Sequence, residues 1–123
     1  MTPVERKLRI FVVEDEALVA MLMEDILLDL GHEVSAIASR LHQACEIAQA
    51  GAFDLAILDV NLDGQPSYPI AKTLRERNIP FAFATGYGGM GLEQPFTEVP
   101  TLAKPYVSED VRRLIMALMP SIP

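Results

Sequence analysis

The chain has 123 residues, the length of one domain, and half of them are hydrophobic, so it can bury a core of its own. Its net charge of −7 argues against nucleic acid as the main partner, because phosphate binding needs clustered lysine and arginine. Cys45 is the only cysteine, which excludes an intrachain disulfide and suits a reducing compartment. No apolar stretch has the length of a membrane span or a signal-peptide core. We expect one cytoplasmic domain over 1–123, without membrane contact.

Short apolar runs alternate with helical patterns along the chain. The runs predict buried strands at about residues 8–13, 33–38, 54–58, 80–84 and 99–103. Apolar stripes between and after them predict helices through Leu18, Leu22, Ile26 and Leu30, through Leu41, Ala44, Cys45 and Ala48, through Ile70, Ala71 and Leu74, and through Val111, Leu114, Ile115 and Leu118. The stretch 86–95 contains four glycines and a proline, so we expect its helix to be short or irregular.

Five strands that alternate with helices predict an α/β fold, in which helices cover both faces of a parallel sheet. Right-handed crossovers and the chain length favour the flavodoxin-like strand order 2-1-3-4-5, a (βα)5 three-layer sandwich. Ligands of such sheets bind beyond the carboxyl ends of the strands, beside strand 1. Five polar residues fall at those ends, namely Glu14, Asp15, Asp59, Thr85 and Lys104.

Three of these strand-end residues are acids, and carboxylates held close together repel one another unless a cation lies between them. Mg²⁺ is suitable because it takes six oxygens and keeps several waters. Asp15 and Asp59 can bind it directly, Glu14 directly or through a water, and Asn61 through its backbone carbonyl. The residues therefore predict a magnesium site.

Asp59 closes the apolar run 55–58, where a buried charge is costly without a partner. Beside a bound cation it can act as a nucleophile that forms an acyl phosphate. Lys104 then supplies positive charge to the phosphoryl group, and Thr85 supplies a hydroxyl.

Four pieces of the chain resemble receiver domains of two-component response regulators, and the resemblance covers the whole chain. They are Val13-Glu14-Asp15-Glu16, Leu58-Asp59-Val60-Asn61-Leu62, Ala84-Thr85-Gly86 and Lys104-Pro105-Tyr106, in the order and spacing of that family. Each piece alone is weak, whereas the set is highly specific.

The resemblance implies that Asp59 accepts a phosphoryl group from a histidine kinase or a histidine phosphotransfer protein. Glu14 and Asp15 would be the acidic pair for Mg²⁺, Thr85 the switch hydroxyl and Lys104 the conserved-type lysine, followed by a cis peptide bond. Output would reach a downstream protein partner through the face of the fourth helix, fifth strand and fifth helix. The only catalysis implied is the self-catalysed phosphorylation and dephosphorylation of Asp59.

The stretch Phe83-Ala84-Thr85-Gly86-Tyr87-Gly88 looks like the FAT GUY subgroup, found mostly in alphaproteobacteria and typically stand-alone, without an effector domain. Receivers usually carry an aromatic residue three positions before the lysine, and here that position is Thr101. Tyr87 and Tyr106 are the candidates to replace the aromatic. We favour Tyr87, because it lies beside Thr85 on a glycine-rich loop.

Alternatives remain open at this point. Each polar residue has a structural explanation on its own, such as a turn at Asp59 or a helix cap at Asp15. Thr101 leaves room for a phosphate-independent interaction module. A Mg²⁺-dependent phosphohydrolase is disfavoured, because Asn61 stands where a general-acid aspartate is expected. We expect His32 and His42 to be solvated surface residues.

Overall fold

The computed structural model describes residues 7–86 and 92–119. Five strands form one parallel sheet: β1 (Arg9–Val13), β2 (Glu33–Ala38), β3 (Leu55–Asp59), β4 (Phe81–Thr85) and β5 (Thr101–Ala103). They lie in the order β2-β1-β3-β4-β5, and each neighbouring pair is parallel. The predicted order 2-1-3-4-5 is confirmed, and the predicted strand ranges differ from the observed ones by at most two residues at either end.

Four helices occur in the described part of the chain: α1 (Ala17–Asp29), α2 (Leu41–Ala50), α3 (Tyr68–Glu76) and α4 (Ser108–Leu118). A small antiparallel hairpin pairs Asn61–Leu62 with Gln65–Pro66 after β3. Between β4 and β5, residues 92–100 form turns, a bend and irregular chain rather than a helix. Proline disrupts a helix interior, which accords with this conformation. Residues 87–91 of the predicted irregular stretch lie outside the described residues. Because the described residues between β4 and β5 contain no helix, the last predicted helix, the fifth of the expected (βα)5 fold, is named α4 here.

Side chains alternate between the two faces of the sheet, and each face has its own core. Phe11 and Val13 of β1 point to a layer containing α2 and α3, whereas Ile10 and Val12 point to a layer containing α1 and α4. The polar residues at the strand ends stand at one edge of this sheet. None of the helices in the described ranges is both long and apolar enough to span a membrane.

The two histidines differ in their surroundings. His42 is exposed, and its Nε2 lies 3.6 Å from a carboxylate oxygen of Glu46. His32 is half-buried, and its Nδ1 accepts a hydrogen bond from the Leu8 backbone N–H at 3.1 Å. The expectation of a solvated surface residue is thus wrong for His32. This residue joins the start of the first strand to the turn before β2, a long-range contact that the local sequence does not indicate.

Arg77 at the end of α3 ties that helix to the end of α2. Its Nη1 donates to the carbonyl oxygens of Ala48 at 2.7 Å and Gly51 at 3.0 Å. Its guanidinium also lies 5.7 Å from the ring centroid of Phe53. A cation here satisfies carbonyl groups that a helix C-terminus leaves without intrahelical partners.

We expect Arg77→Met to lower the free energy of unfolding by about 1–2 kcal/mol, because two hydrogen bonds to a charged donor are lost at a largely exposed position. Urea denaturation measures this change. Arg40→Met, at the exposed opposite end of α2, is the matched control and should change stability by less than about 0.5 kcal/mol. Equal stability of the Arg77 variant and the wild type would contradict the capping role.

Candidate functional site

Three carboxylates meet beyond the carboxyl ends of β1 and β3. Ligand oxygens of Glu14, Asp15 and Asp59 all lie within 4.8 Å of one another. The register explains this, because Val13 pairs with Leu58 and the next residue of each strand is an acid. Glu14 is 2% exposed and Asp59 is 8% exposed, whereas Asp15 is half-buried. The predicted acidic cluster is thus present as a compact group.

Lys104 neutralises part of this cluster. Its Nζ lies 3.0 Å from Oε1 of Glu14 and 3.1 Å from Oδ2 of Asp59. The backbone N–H of Lys104 donates to the Thr85 carbonyl at 3.2 Å, which continues the ladder between β4 and β5. Burial disfavours its charged form, but hydrogen bonds from the ammonium to both carboxylates outweigh burial and raise the pKa of Lys104.

Among the three acids, Glu14 has a raised pKa. Burial raises the pKa of Glu14 to about 7. The Lys104 hydrogen bond lowers this pKa, and the nearby Asp59 charge raises it again. A single lysine therefore does not balance the acids, and one of them titrates near neutral pH.

The hairpin after β3 supplies backbone donors to the other two acids. The Asp63 N–H donates to Oδ2 of Asp15 at 2.8 Å, and the Asn61 N–H donates to Oδ1 of Asp59 at 3.3 Å. Asp63 and Gly64 both have positive φ, which an Asp-Gly turn accommodates. Partial burial tends to raise the pKa of Asp15, but hydrogen bonds, first that from Asp63, hold it below its ordinary value.

Tyr106 is a site residue whose contact the sequence did not indicate. Its hydroxyl donates to Oε1 of Glu14 at 3.5 Å. The peptide bond between Lys104 and Pro105, just before it in the chain, is cis, as the family resemblance implied. Burial raises the pKa of the Tyr106 phenol above its ordinary range, and the charges of Glu14 and Asp59 add to this effect. Tyr106 thus contacts the acidic cluster directly. Tyr87, the favoured substitute for an aromatic at Thr101, lies outside the described residues.

Thr85 ends β4 and is 4% exposed. Asp59 pairs with Ala84 in the register, so Thr85 stands one residue beyond the partner of Asp59. The structure therefore brings Glu14, Asp15, Asp59 and Lys104 into contact and places Thr85 at the neighbouring strand end. Asn61 is exposed and contributes its N–H to Asp59, while its proposed role as a metal ligand concerns its carbonyl.

The donor set suits a hard divalent cation. Three carboxylates converge with one lysine, and their oxygens are close enough to share an ion. Mg²⁺ prefers oxygen ligands and is usually bound through one or two carboxylates together with waters. The residues present therefore fit magnesium.

Comparison with known families identifies the family of the chain. Residues 10–112 match the family described as the response regulator receiver domain. The chain belongs to the response regulator receiver family. Its receiver fold carries an acidic cluster beyond the carboxyl ends of β1 and β3, and Lys104 beyond that of β5.

Solved receiver structures resemble this chain over nearly its whole length. SdrG from Sphingomonas melonis Fr1 is 37% identical, with a TM-score of 0.82, and the match covers 97% of this chain and 99% of that one. The response regulator PhyR from Brucella abortus is 27% identical, with a TM-score of 0.81, over 95% of this chain and 50% of PhyR. The search of curated proteins returned no significant match.

A more distant structure shares the receiver fold. The receiver domain of the sensor histidine kinase PA1611 from Pseudomonas aeruginosa PAO1 is 22% identical, with a TM-score of 0.80, over 94% of this chain and 100% of that one. That domain was solved with a magnesium ion coordinated in its active site cleft.

Proposed function

We propose that this receiver domain accepts a phosphoryl group on Asp59 from a histidine kinase or a histidine phosphotransfer protein, and that the modification switches its binding to a partner protein. The observation that carries the proposal is the contact of Lys104 Nζ with both Glu14 and Asp59, inside a cluster of three carboxylates. A cation and a nucleophilic carboxylate at one strand edge form a constellation suited to phosphoryl transfer. We also propose that 1–123 acts in the cytoplasm as one receiver unit.

The chemical step is an in-line displacement. A carboxylate oxygen of Asp59 attacks the phosphorus of a phosphohistidine, a P–O bond forms, and the P–N bond breaks with its electron pair returning to the imidazole nitrogen. Attack by water later cleaves the acyl phosphate and restores the carboxylate with release of inorganic phosphate. Both steps are self-catalysed in the sense that the residues of this site, together with the cation they would hold, assist them.

The other site residues have distinct roles in the proposed step. Bound Mg²⁺ would neutralise charge on the phosphoryl oxygens. Glu14, Asp15, the Asp59 carboxylate and the Asn61 carbonyl would hold the ion. Lys104 would move from the unmodified Asp59 carboxylate to a phosphoryl oxygen, and the Thr85 hydroxyl would donate to another.

The switch would alter the surface on either side of β5. Phosphorylation adds charge and acceptor oxygens beside Thr85 and Lys104, at the ends of β4 and β5. Movement of Thr85 and of residues 92–95 would then change the face that a partner reads, formed by 92–100, β5 and α4. This requires two states that differ by only a few kcal/mol, so that one phosphoryl group can shift their populations.

A phosphate-independent interaction module is the second candidate function. Thr101, which lies half-buried on the edge strand β5, has no aromatic ring and so favours this reading. In that case Asp59→Ala would leave partner binding unchanged.

Intact-mass measurement after incubation with acetyl phosphate tests the proposed function. We expect the wild type to gain one phosphoryl group in a Mg²⁺-dependent reaction, and Asp59→Asn to gain none, because an amide is not a nucleophile of this kind. Asp25→Asn, on the exposed side of α1, is the matched control and should label like the wild type. Labelling of Asp59→Asn, or a wild type that stays unlabelled with every donor, would overturn the assignment.

A further inference from the structure

Helix α3 holds the segment 92–99, which leads into β5, through side chains two helical turns apart. The Tyr68 hydroxyl accepts a hydrogen bond from the Glu93 backbone N–H at 2.8 Å, and its ring stacks on Phe96 with centroids 5.3 Å apart at 8°. The Arg75 guanidinium lies 4.7 Å from the centroid of the same ring, and its Nη1 donates to the Pro95 carbonyl at 3.3 Å. Phe96 is 6% exposed, so this attachment is partly buried. We name Tyr68 and Arg75 together the α3 clamp.

The clamp also contacts the strand that ends at Thr85. Tyr68 packs edge-on against Phe83 with centroids 5.7 Å apart at 88°, and Phe83 precedes Thr85 by two residues on β4. Phe83 in turn contacts Phe96 edge-on at 6.1 Å. A shift of β4 at Thr85 therefore acts on the rings to which segment 92–99 is attached, because closely packed side chains transmit displacement.

The backbone links the clamp to the phosphoacceptor side as well. Ser67, the residue before Tyr68, donates its N–H to the Val60 carbonyl at 2.8 Å, and Ser67 is fully buried. Val60 follows Asp59 and donates its own N–H to the Ala84 carbonyl at 3.2 Å. Tyr68 is thus fixed at the point where the β3 end, the β4 end and segment 92–99 meet.

We propose that Tyr68 is a positioning residue that couples the state of Asp59 to the position of segment 92–99. The proposal rests on the proposed function. With Asp59 unmodified, the hydrogen bond from Glu93 holds the segment against α3. When a phosphoryl group draws Thr85 toward Asp59, the Phe83 ring moves with β4 and the Tyr68–Glu93 hydrogen bond opens. Arg75 supports the closed state through Phe96 and Pro95.

Linkage gives the proposal a measurable consequence. A contact made only in the unmodified state weakens the binding of a phosphoryl group. Removing that contact must strengthen phosphoryl binding by the factor by which the contact had weakened it. A single hydrogen bond corresponds to about a two- to tenfold change in an equilibrium constant. Tyr68→Phe removes the acceptor hydroxyl but keeps the ring, so the packing with Phe83 and Phe96 is retained.

Titration with beryllofluoride and Mg²⁺, a phosphoryl analogue that binds a free carboxylate, tests the coupling. We expect Tyr68→Phe and Arg75→Gln each to bind the analogue about two- to tenfold more tightly than the wild type. In ¹H–¹⁵N spectra, saturating analogue should move the Glu93 amide of the wild type toward its position in unliganded Tyr68→Phe, because the hydrogen bond is absent in both. A purely structural role for Tyr68 would produce neither effect.

Two control variants on α3 isolate the clamp. Lys72→Gln removes a positive charge from an exposed position as Arg75→Gln does, and Thr73→Ala removes a hydrogen bond to the Pro69 carbonyl. Both should bind the analogue like the wild type. Unchanged affinity in both clamp variants would overturn the coupling while leaving the proposed function intact. Failure of the wild type to bind the analogue would instead count against the proposed function.

Discussion

Raising the pH from about 5 to about 8 without divalent cations is expected to lower the unfolding free energy of the wild type by about 2–3 kcal/mol more than that of Glu14→Gln. The folded-state pKa of Glu14 is about 7, against an ordinary value of 4.5. Between these values the folded state binds more protons than the unfolded state, so stability is present at low pH and is lost as the pH rises through 7. Glutamine does not titrate, so the Glu14→Gln variant does not lose this part of its stability as the pH rises.

Urea denaturation at both pH values, with a chelator present, measures the difference. Each variant keeps both histidines, so the comparison isolates the carboxyl of Glu14. Glu98→Gln, at an exposed position between β4 and β5, is the matched control and should follow the wild type. Parallel pH profiles for the wild type and Glu14→Gln would show that Glu14 titrates in the folded state as it does in the unfolded chain.

Lys104→Met is expected to lower the unfolding free energy by about 2–3 kcal/mol at neutral pH, because two buried carboxylates lose the cation they share. The Lys104 side chain is 22% exposed, and Glu14 can take up a proton in the variant, so the loss is smaller than for a fully buried pair. The same change should raise the pKa of Glu14 further, since the hydrogen bond that lowers it is gone.

A double-mutant cycle distinguishes this effect from lost packing. Adding Glu14→Gln to Lys104→Met replaces the buried carboxyl that must take up a proton once its cation is lost, so the double variant should recover part of the loss in unfolding free energy. Lys72→Met changes an exposed lysine on α3 and is expected to leave stability within about 0.5 kcal/mol of the wild type. If the two substitutions at the site were additive, the ion pair would contribute nothing.

The fold and the main site residues were predictable because both follow from local patterns. Four of the five strands end in or are followed by one of the site residues, and parallel strands place their carboxyl ends at one edge. Once the strand order is known, Glu14, Asp59 and Lys104 are brought together by the register alone. The structure confirms this order, and it places Lys104 Nζ 3.0 Å from Glu14 and 3.1 Å from Asp59.

The rest depended on contacts between residues distant in sequence. Nothing local marks His32 as the acceptor for Leu8, or Tyr106 as a donor to Glu14. The Asp63-Gly64 pair is typical of a turn, but nothing local indicates that the Asp63 N–H donates to Asp15, forty-eight positions away. The stacking of Tyr68 on Phe96 likewise arises only once α3 and segment 92–99 are packed side by side.

Ala103 pairs with Thr85 in the sheet, and Lys104 is the next residue, directly after β5. The number of residues in the strand therefore determines that the lysine faces the acids. Tolerance to insertion should therefore differ sharply along the chain. An extra residue within β5 would turn the lysine to the opposite face, because side chains alternate along a strand. An extra residue in the loop 51–54, at the amino end of β3, changes no such count. Loops at the amino ends of the strands should therefore tolerate insertions, whereas insertions within the strands should disrupt the site.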